Sequence, residues 1–273
     1  MDRPPSQPKG VAIVREIADT YADCTLTYKL REAINLERVR MQHRTYVRAL
    51  QDLGLRVVTL PADPRYPDGC FVEDTVVLLG DLAMITRMGV PTRNGEQEAV
   101  GRCLARSKQL VFMTAPAQLE GGDVLKIGTH LLVGASGRTN RAGIDFLQTI
   151  ACPRGYRISV LEVSGTLHLK TAVTYVGRET LIASRALAPQ VRMTLPEWDL
   201  IELSDECAPA ANVLNVHGTV LIPLGFPVAV REIARRGFPL KELEISEFHK
   251  GEAGLTCLSI IEEETSPANS EER

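Results

Sequence analysis

No stretch of this 273-residue chain approaches the roughly 18 consecutive apolar residues of a membrane-spanning helix. Met1 to Gly10 is polar and proline-rich and lacks the apolar core of a signal peptide. No CxxC pair occurs among the six cysteines (Cys24, Cys70, Cys103, Cys152, Cys207 and Cys257), so the spacing of a structural zinc site is missing. Basic runs are missing as well. With 31 Lys and Arg against 34 Asp and Glu, and a formal net charge of -3, the chain does not read as a nucleic-acid binder. These absences point to a cytoplasmic protein with reduced thiols and neither a membrane nor a nucleic-acid partner. In that setting a cysteine is either core filler or chemistry. What is present, 44% hydrophobic and 24% charged residues, is ordinary globular composition, in a chain long enough to bury a sizeable core.

A unit recurs along the chain. Apolar residues on one face mark a helix from Leu36 to Leu53, stopped at Gly54, before a buried strand over 56–60 closed by Pro61. Next come two strands, 74–79 and 82–87, joined by Gly80-Asp81, a short hairpin signal. Similar hairpins are predicted over 123–135, 168–184 and 212–224. Helices are expected at 139–150 and 227–236, each followed by a strand, at 156–163 and 241–245. A last apolar strand, 257–261, is expected to pair with 11–15 and close the circle. Asp74, Asp123, His168, Asn212 and Cys257 open these strands at intervals of 49, 45, 44 and 45 residues. A period near 45 residues signals a ring of repeated strand–strand–helix–strand units, in which equivalent positions converge on the axis. Five polar residues are therefore expected in one central pocket. No internal linker divides the chain. Residues 1–10 and 262–273 read as flexible ends around a single domain spanning 11–261.

Singly, the candidate residues are ambiguous. Cys257 before an apolar strand reads as core filler or nucleophile, and His168 on an apolar strand as a satisfied core residue or an acid/base. The acids say more. Asp68, Glu73 and Asp74 fall within seven residues before an apolar strand, and Glu120-Gly121-Gly122-Asp123 repeats the theme at the next hairpin. Carboxylates beside a buried run are costly unless a cation compensates them. Together they suggest a cage for guanidinium, a planar cation with five donors in a fixed fork. Arg93 and Arg138, each after the outer strand of a hairpin, could hold a carboxylate.

With these residues together, the chain resembles the dimethylarginine dimethylaminohydrolase family of the guanidino-group-modifying, amidinotransferase-like superfamily. The resemblance runs from about Val11 to Ile261 through motifs that occur in order. They are 60–63 (Leu-Pro-Ala-Asp), 67–74, 85–93, Glu120 to Asp123, 138–140 (Arg-Thr-Asn), 167–170 (Leu-His-Leu-Lys), 210–212 (Ala-Ala-Asn) and 255–257 (Leu-Thr-Cys). It implies a five-bladed, pseudo-symmetric α/β propeller of the pentein type. By this resemblance Cys257 is the nucleophile, His168 the acid/base, and Glu120 the acid that binds guanidinium and orients His168. Asp74 with Glu73 would bind the guanidinium, Arg93 and Arg138 the α-carboxylate, and Asp68 the α-amino end. Leu26 belongs to a mobile lid whose backbone closes over the substrate. Gly251 stands where relatives often carry Val or Ile, which implies a looser closed pocket.

The implied reaction hydrolyses a methylated arginine to citrulline through a thiouronium on Cys257, without metal or organic cofactor. Acids around Cys257 should raise its pKa and a bound cation should lower it. The alternatives are hydrolysis of arginine or another substituted guanidine, a non-catalytic arginine-binding propeller, and a weak Zn²⁺ site at Cys257 and His168. The sequence carries no mark that decides oligomeric state, and a homodimer is compatible with it.

Overall fold

The computed structural model describes residues 9–263; the terminal segments read above as flexible lie almost wholly outside the described residues. Fifteen strands form five separate three-stranded sheets, each built on one plan. The first sheet has β1 (Gly10–Arg15) at its centre, parallel to β2 (Arg56–Leu60) across helix α1 (Leu36–Asp52). A parallel pair needs a long crossover, and the helix supplies it. The second sheet runs β3 (Val76–Leu79), β4 (Leu82–Ile85), α2 (Gln97–Leu104), β5 (Gln109–Phe112). The third runs β6 (Val124–Ile127), β7 (His130–Ala135), α3 (Arg141–Ala151), β8 (Arg157–Glu162). A one-turn helix, α4 (Leu169–Ala172), leads into the fourth: β9 (Val173–Gly177), β10 (Thr180–Ser184), α5 (Ala188–Thr194), β11 (Asp199–Leu203). The fifth holds β12 (Leu214–Val216), β13 (Thr219–Pro223), α6 (Pro227–Arg235) and β14 (Leu240–Leu243). After α7 (Ser246–Lys250), strand β15 (Ile260–Glu263) returns antiparallel to β1, with Ile13 opposite Ile260 and Gly10 opposite Glu263. The expected ring closure is present.

Middle strands β4 and β10 are buried along their whole length, and β7 nearly so; the outer strands alternate partly exposed residues. That difference explains why the hairpins were legible and β5, β11, α2 and α5 were not delimited: short, half-exposed elements carry little periodic signal. Two turns use left-handed backbone at both central positions, Arg178-Glu179 (φ 47° and 57°) and His217-Gly218 (φ 49° and 85°), the geometry that matches strand twist in a tight hairpin.

The apolar core is divided into five clusters, one at each seam between neighbouring sheets. Ile13, Ile260, Val76 and Ile85 join the first and second. Leu82, Met84, Leu131 and Val133 join the second and third. Leu132, Leu161, Leu181 and Ala183 join the third and fourth. Val176, Ile182, Val220 and Ile222 join the fourth and fifth, and Val14, Tyr46, Leu221 and Phe248 join the fifth to the first. Because the seams carry the hydrophobic burial, the axis is free to hold polar side chains.

One sequence expectation needs correction. Asp74, Asp123, His168, Asn212 and Cys257 do not begin strands. Each lies in or beside a short helical turn that precedes the innermost strand: Val72–Thr75, Gly121–Asp123, α4, Asp205–Ala211 and Thr256–Leu258. The repeat is real, but its unit starts one helical turn earlier than the hydrophobic pattern suggests.

Candidate active site

The turns at Asp74, His168 and Cys257 border a pocket with about 300 Å³ of empty space, part of it open to solvent. Cys257, His168, Asp74, Asp68, Arg93, Arg138 and Gly251 line it, with Thr25, Phe71, Leu167, Glu252 and Ala253. Three of the five repeat positions therefore face the pocket. Asp123 and Asn212 do not, which corrects the expectation that all five converge there. Asp123 accepts from Ser136 Oγ and Thr139 Oγ1 (both 2.6 Å) and from Leu169 N (2.9 Å). It thereby ties the loop carrying Arg138 to the start of α4. Asn212 accepts from Thr256 N (3.0 Å) and donates Nδ2–H to Thr256 Oγ1 (3.1 Å) and to the carbonyl of Lys170 (2.9 Å). Both are scaffold behind the pocket wall, where a short polar side chain satisfies main-chain groups that a turn leaves open.

His168 caps α4 and is buried. Its Nε2 lies 2.7 Å from Glu120 Oε2, and its Nδ1 lies 3.8 Å from Asp74 Oδ1. Burial opposes its charged form, but Asp74, Asp123 and Glu120 together outweigh burial and raise its pKa to about 9. Glu120 is the counterpart. Burial works against its ionisation, yet the bond to His168, followed by the charge of Arg93, brings its pKa down to about 2. Below pH 9 the pair is an imidazolium held by a carboxylate. Glu120 itself is wholly buried, and its oxygens also receive Gly89 N (2.9 Å) and stand 3.5 Å from Arg93 and Arg138. It sits behind His168 rather than on the pocket surface, which fits orientation better than direct contact with a ligand.

Cys257 sits in the turn before β15, 9% exposed. Burial, followed by the charges of Glu73 and Asp74, pushes its pKa up to about 12, against the opposing pull of a main-chain bond from Gly254 and of Lys170. At neutral pH the thiol is protonated, as expected among acids. Glu73 is braced by Lys170 Nζ (2.5 Å) and by the hydroxyl of Thr256 (2.8 Å), the residue before Cys257. Lys170 and Thr256 were quoted only as parts of motifs. Their signal was a lone lysine two residues after His168 and a hydroxyl abutting the cysteine, neither informative until the turns are brought together.

The arginines are both buried. Arg93 donates from Nη1 to Asp74 Oδ2 (3.0 Å) and grips Glu96 with Nε and Nη2 (3.1 and 2.8 Å). Burial opposes its charge, but Glu96, Asp74 and Glu120 hold it firmly protonated. The sequence reading put Asp74 and Arg93 at opposite ends of a ligand, yet they touch. Glu96 was missed, although an acid three residues after an arginine on a helical turn is a readable signal. Arg138 donates from Nη2 to Thr27 Oγ1 (2.9 Å). Asp68 accepts the main-chain N–H and the hydroxyl of Thr25 (3.1 Å each). Both contacts belong to the segment around Leu26, which therefore lies against the pocket.

Gly251 reverses its expectation. A Cβ there would stand 2.6 Å from the hydroxyl of Tyr21 and 3.2 Å from Cys24 Sγ. The space a branched side chain would take is filled from below by Tyr21 and Cys24. Asp74, Glu120 and His168 each offer one potential metal-binding atom within 4.8 Å of the others. Arg93 already brings positive charge to two of these acids, and Cys257 is not among the three. Among the described residues no helix is long and apolar enough to cross a membrane.

Relatives share both the sequence and this architecture. The family model described as N,N dimethylarginine dimethylhydrolase, eukaryotic, matches residues 13–194. The N(G),N(G)-dimethylarginine dimethylaminohydrolase of Streptomyces coelicolor is 35% identical, over 93% of this chain and 97% of its own. That of Pseudomonas aeruginosa is 34% identical, over 80% of this chain and 86% of its own. A solved structure of the Pseudomonas aeruginosa enzyme, a cysteine-to-serine mutant complexed with citrulline, superimposes with a TM-score of 0.88. It is 31% identical, covering 93% of this chain and 99% of that one. The N-terminal domain of an arginine dihydrolase from cyanobacteria, at 17% identity and a TM-score of 0.84, shares the fold. Sequence, coverage and five-sheet ring agree: the chain belongs to the N,N-dimethylarginine dimethylhydrolase family.

Proposed function

We propose that this chain hydrolyses N-omega-methylated arginines, asymmetric dimethylarginine and monomethylarginine, to citrulline and a methylamine. The observation that carries the reading is a buried thiol lining one pocket with the His168 of a His168–Glu120 pair, Asp74 and two buried arginines. Residues 11–261 form the single catalytic domain. Asp74, with Glu73 behind it, fixes the guanidinium; a carboxylate has about four lone-pair sites, so Asp74 can keep Arg93 and still accept the ligand. Arg93 and Arg138 clamp the α-carboxylate, while Asp68 and the carbonyls of Leu26 and Gly251 meet the α-amino end.

The substrate cation, placed beside Cys257, offsets Glu73 and Asp74 and lowers the thiol pKa, so on binding the thiol proton passes to solvent and the nucleophile forms. The thiolate attacks the guanidinium carbon, which is electrophilic while the group stays protonated. His168 gives its proton to the departing dimethylamine as the C–N bond breaks, leaving a thiouronium on sulfur. His168 then takes a proton from water as it adds to the same carbon. The C–S bond breaks, and citrulline and the free thiol are released. The chemistry is complete with these side chains.

A citrulline assay comparing asymmetric dimethylarginine, monomethylarginine and arginine tests the reading. Turnover is expected with both methylated substrates, at rates that differ by no more than about 200-fold because a methyl group is worth about 1–3 kcal/mol in a pocket. Turnover of arginine alone would overturn it. Cys257→Ser is expected to abolish citrulline formation while calorimetry still detects substrate binding; persistent turnover would remove Cys257 as the nucleophile. Assembly as a homodimer and a cytoplasmic location belong to the same reading, and sedimentation of the purified chain and localisation of a tagged one test them.

A further inference from the structure

Residues 24–35 form no helix or strand, and the segment meets the pocket at Thr25 and, through Arg138, at Thr27. Main-chain N–H groups in such a segment need partners that no ladder supplies. Thr25 finds Asp68, but the next donors turn the other way. The carboxylate of Glu252 accepts from three consecutive amides, Thr27 (2.8 Å), Tyr28 (2.6 Å) and Lys29, around a bend at 27–29. Successive amides curled around one anion form a strong, charge-assisted cradle. Glu252 adopts φ 60°, a left-handed conformation unusual for a residue with a Cβ. That backbone turn follows α7 and places Glu252 in the pocket wall between Gly251 and Ala253.

Cys24, Leu26 and Ile34 pack in or against the core, but apolar burial does not hold the bend between them: Tyr28 and Leu30 are 54% and 91% exposed. Among the described residues, no other side chain bonds the main chain of residues 26–30. Lys29 Nζ reaches the carbonyl of His249, and Arg31 bonds the carbonyls of Ala22 and Cys24, so the neighbouring anchors are cations on main-chain oxygens. Thr27 joins two parts of the site. Its N–H is held by Glu252, and its hydroxyl accepts from Arg138.

We propose that Glu252 is a positioning residue: it latches the lid over the pocket and, through Thr27, sets the guanidinium of Arg138. The role rests on the function proposed above, in which Arg138 and the carbonyl of Leu26 grip the amino-acid end of the substrate. Losing the latch weakens that grip more than it affects bond breaking at Cys257.

Glu252→Gln keeps the shape and removes the anion, leaving one acceptor where three donors converge. The expected result is a KM for asymmetric dimethylarginine raised about tenfold or more, with kcat within about threefold of the parent. Glu252→Asp, which keeps the charge, should recover part of the loss. A second readout needs no turnover. Limited trypsin digestion should cut the Gln variant after Lys29 and Arg31 at least several-fold faster than the parent, with the thermal midpoint unchanged. Unchanged KM and unchanged cleavage would overturn the latch, as would an equal loss in both variants accompanied by a lowered midpoint. If the parent turns over no methylated arginine, the proposed function fails, and the cleavage rates still decide the latch.

Discussion

Cys257 and His168 both hold their protons at neutral pH, with pKa values pushed up to about 12 and about 9, and those protons set the pH dependence of the site. With His168 raised to about 9, the group that the proposed mechanism uses to protonate the leaving amine carries its proton at neutral pH and loses it above that value. We expect kcat to fall as pH rises through about 9; a flat profile to pH 10 would show that another group supplies the proton. The same shift contributes to stability. Because the folded pKa lies above the unfolded one, near 6.5, the contribution is full below pH 6.5 and disappears as pH rises through 9. It is on the order of 3 kcal/mol, counted once for the His168–Glu120 pair. Tyr21 offers a second test at this scale. Its hydroxyl is buried with no hydrogen-bond partner among the described residues. Replacing Tyr21 by Phe removes an unsatisfied donor, and the thermal midpoint should rise by the equivalent of about 1 kcal/mol. A fall would mean that the hydroxyl is paired in solution.

At the scale of elements, the short turns before the inner strands do the placing. At the pair Gly121-Gly122 the backbone comes close to neighbouring groups, and the geometry shows how closely. A Cβ on Gly122 would lie 2.7 Å from both Asp74 Oδ1 and His168 Nδ1, and one on Gly121 would lie 2.1 Å from the carbonyl oxygen of Glu73. Gly122→Ala should therefore push the acid and the imidazole apart. Displacements near 1 Å cost on the order of 10²-fold in rate, so we expect that loss in kcat, measured in the citrulline assay on protein whose far-UV circular dichroism is unchanged. Parental kcat would mean that the turn accommodates the methyl group. Legibility also differed between elements. Helix α1, seventeen residues long, announced itself through one apolar face; the structure adds that Asn35 caps it, its side chain accepting from Arg38 N. Helix α2 has eight residues with Gly101 inside, and strand β5 is half exposed, so neither leaves a period long enough to read.

The whole molecule is a ring whose closing contact joins the two ends of the described chain. Strand β15 completes the first sheet against β1, and Ile260 packs in the seam with Ile13 and Val76. A ring shares its stability among seams, so opening one exposes the inner edge of β1 and frees the turn bearing Cys257. A chain truncated after Ser259 is expected to lose its cooperative thermal transition and its activity together. A truncated chain that melts at the parental midpoint would show that the four-sheet arc is stable alone.

The sequence by itself determined the repeat, because alternating apolar strands and a period near 45 residues are local patterns that survive without knowledge of neighbours. It also marked candidate side chains, because acids, arginines, a cysteine and a histidine gathered near matched points of that period, and their proposed roles came from the family resemblance. Only the tertiary structure decided which of them share a surface. Asp123 and Asn212 turn to main-chain groups, Glu120 lies behind His168, and Glu96, Thr27 and Glu252 join the site from positions with no motif of their own. The reason is distance along the chain: Glu252 and Thr27 are 225 residues apart, and no local pattern can encode a hydrogen bond that exists only once the ring has closed.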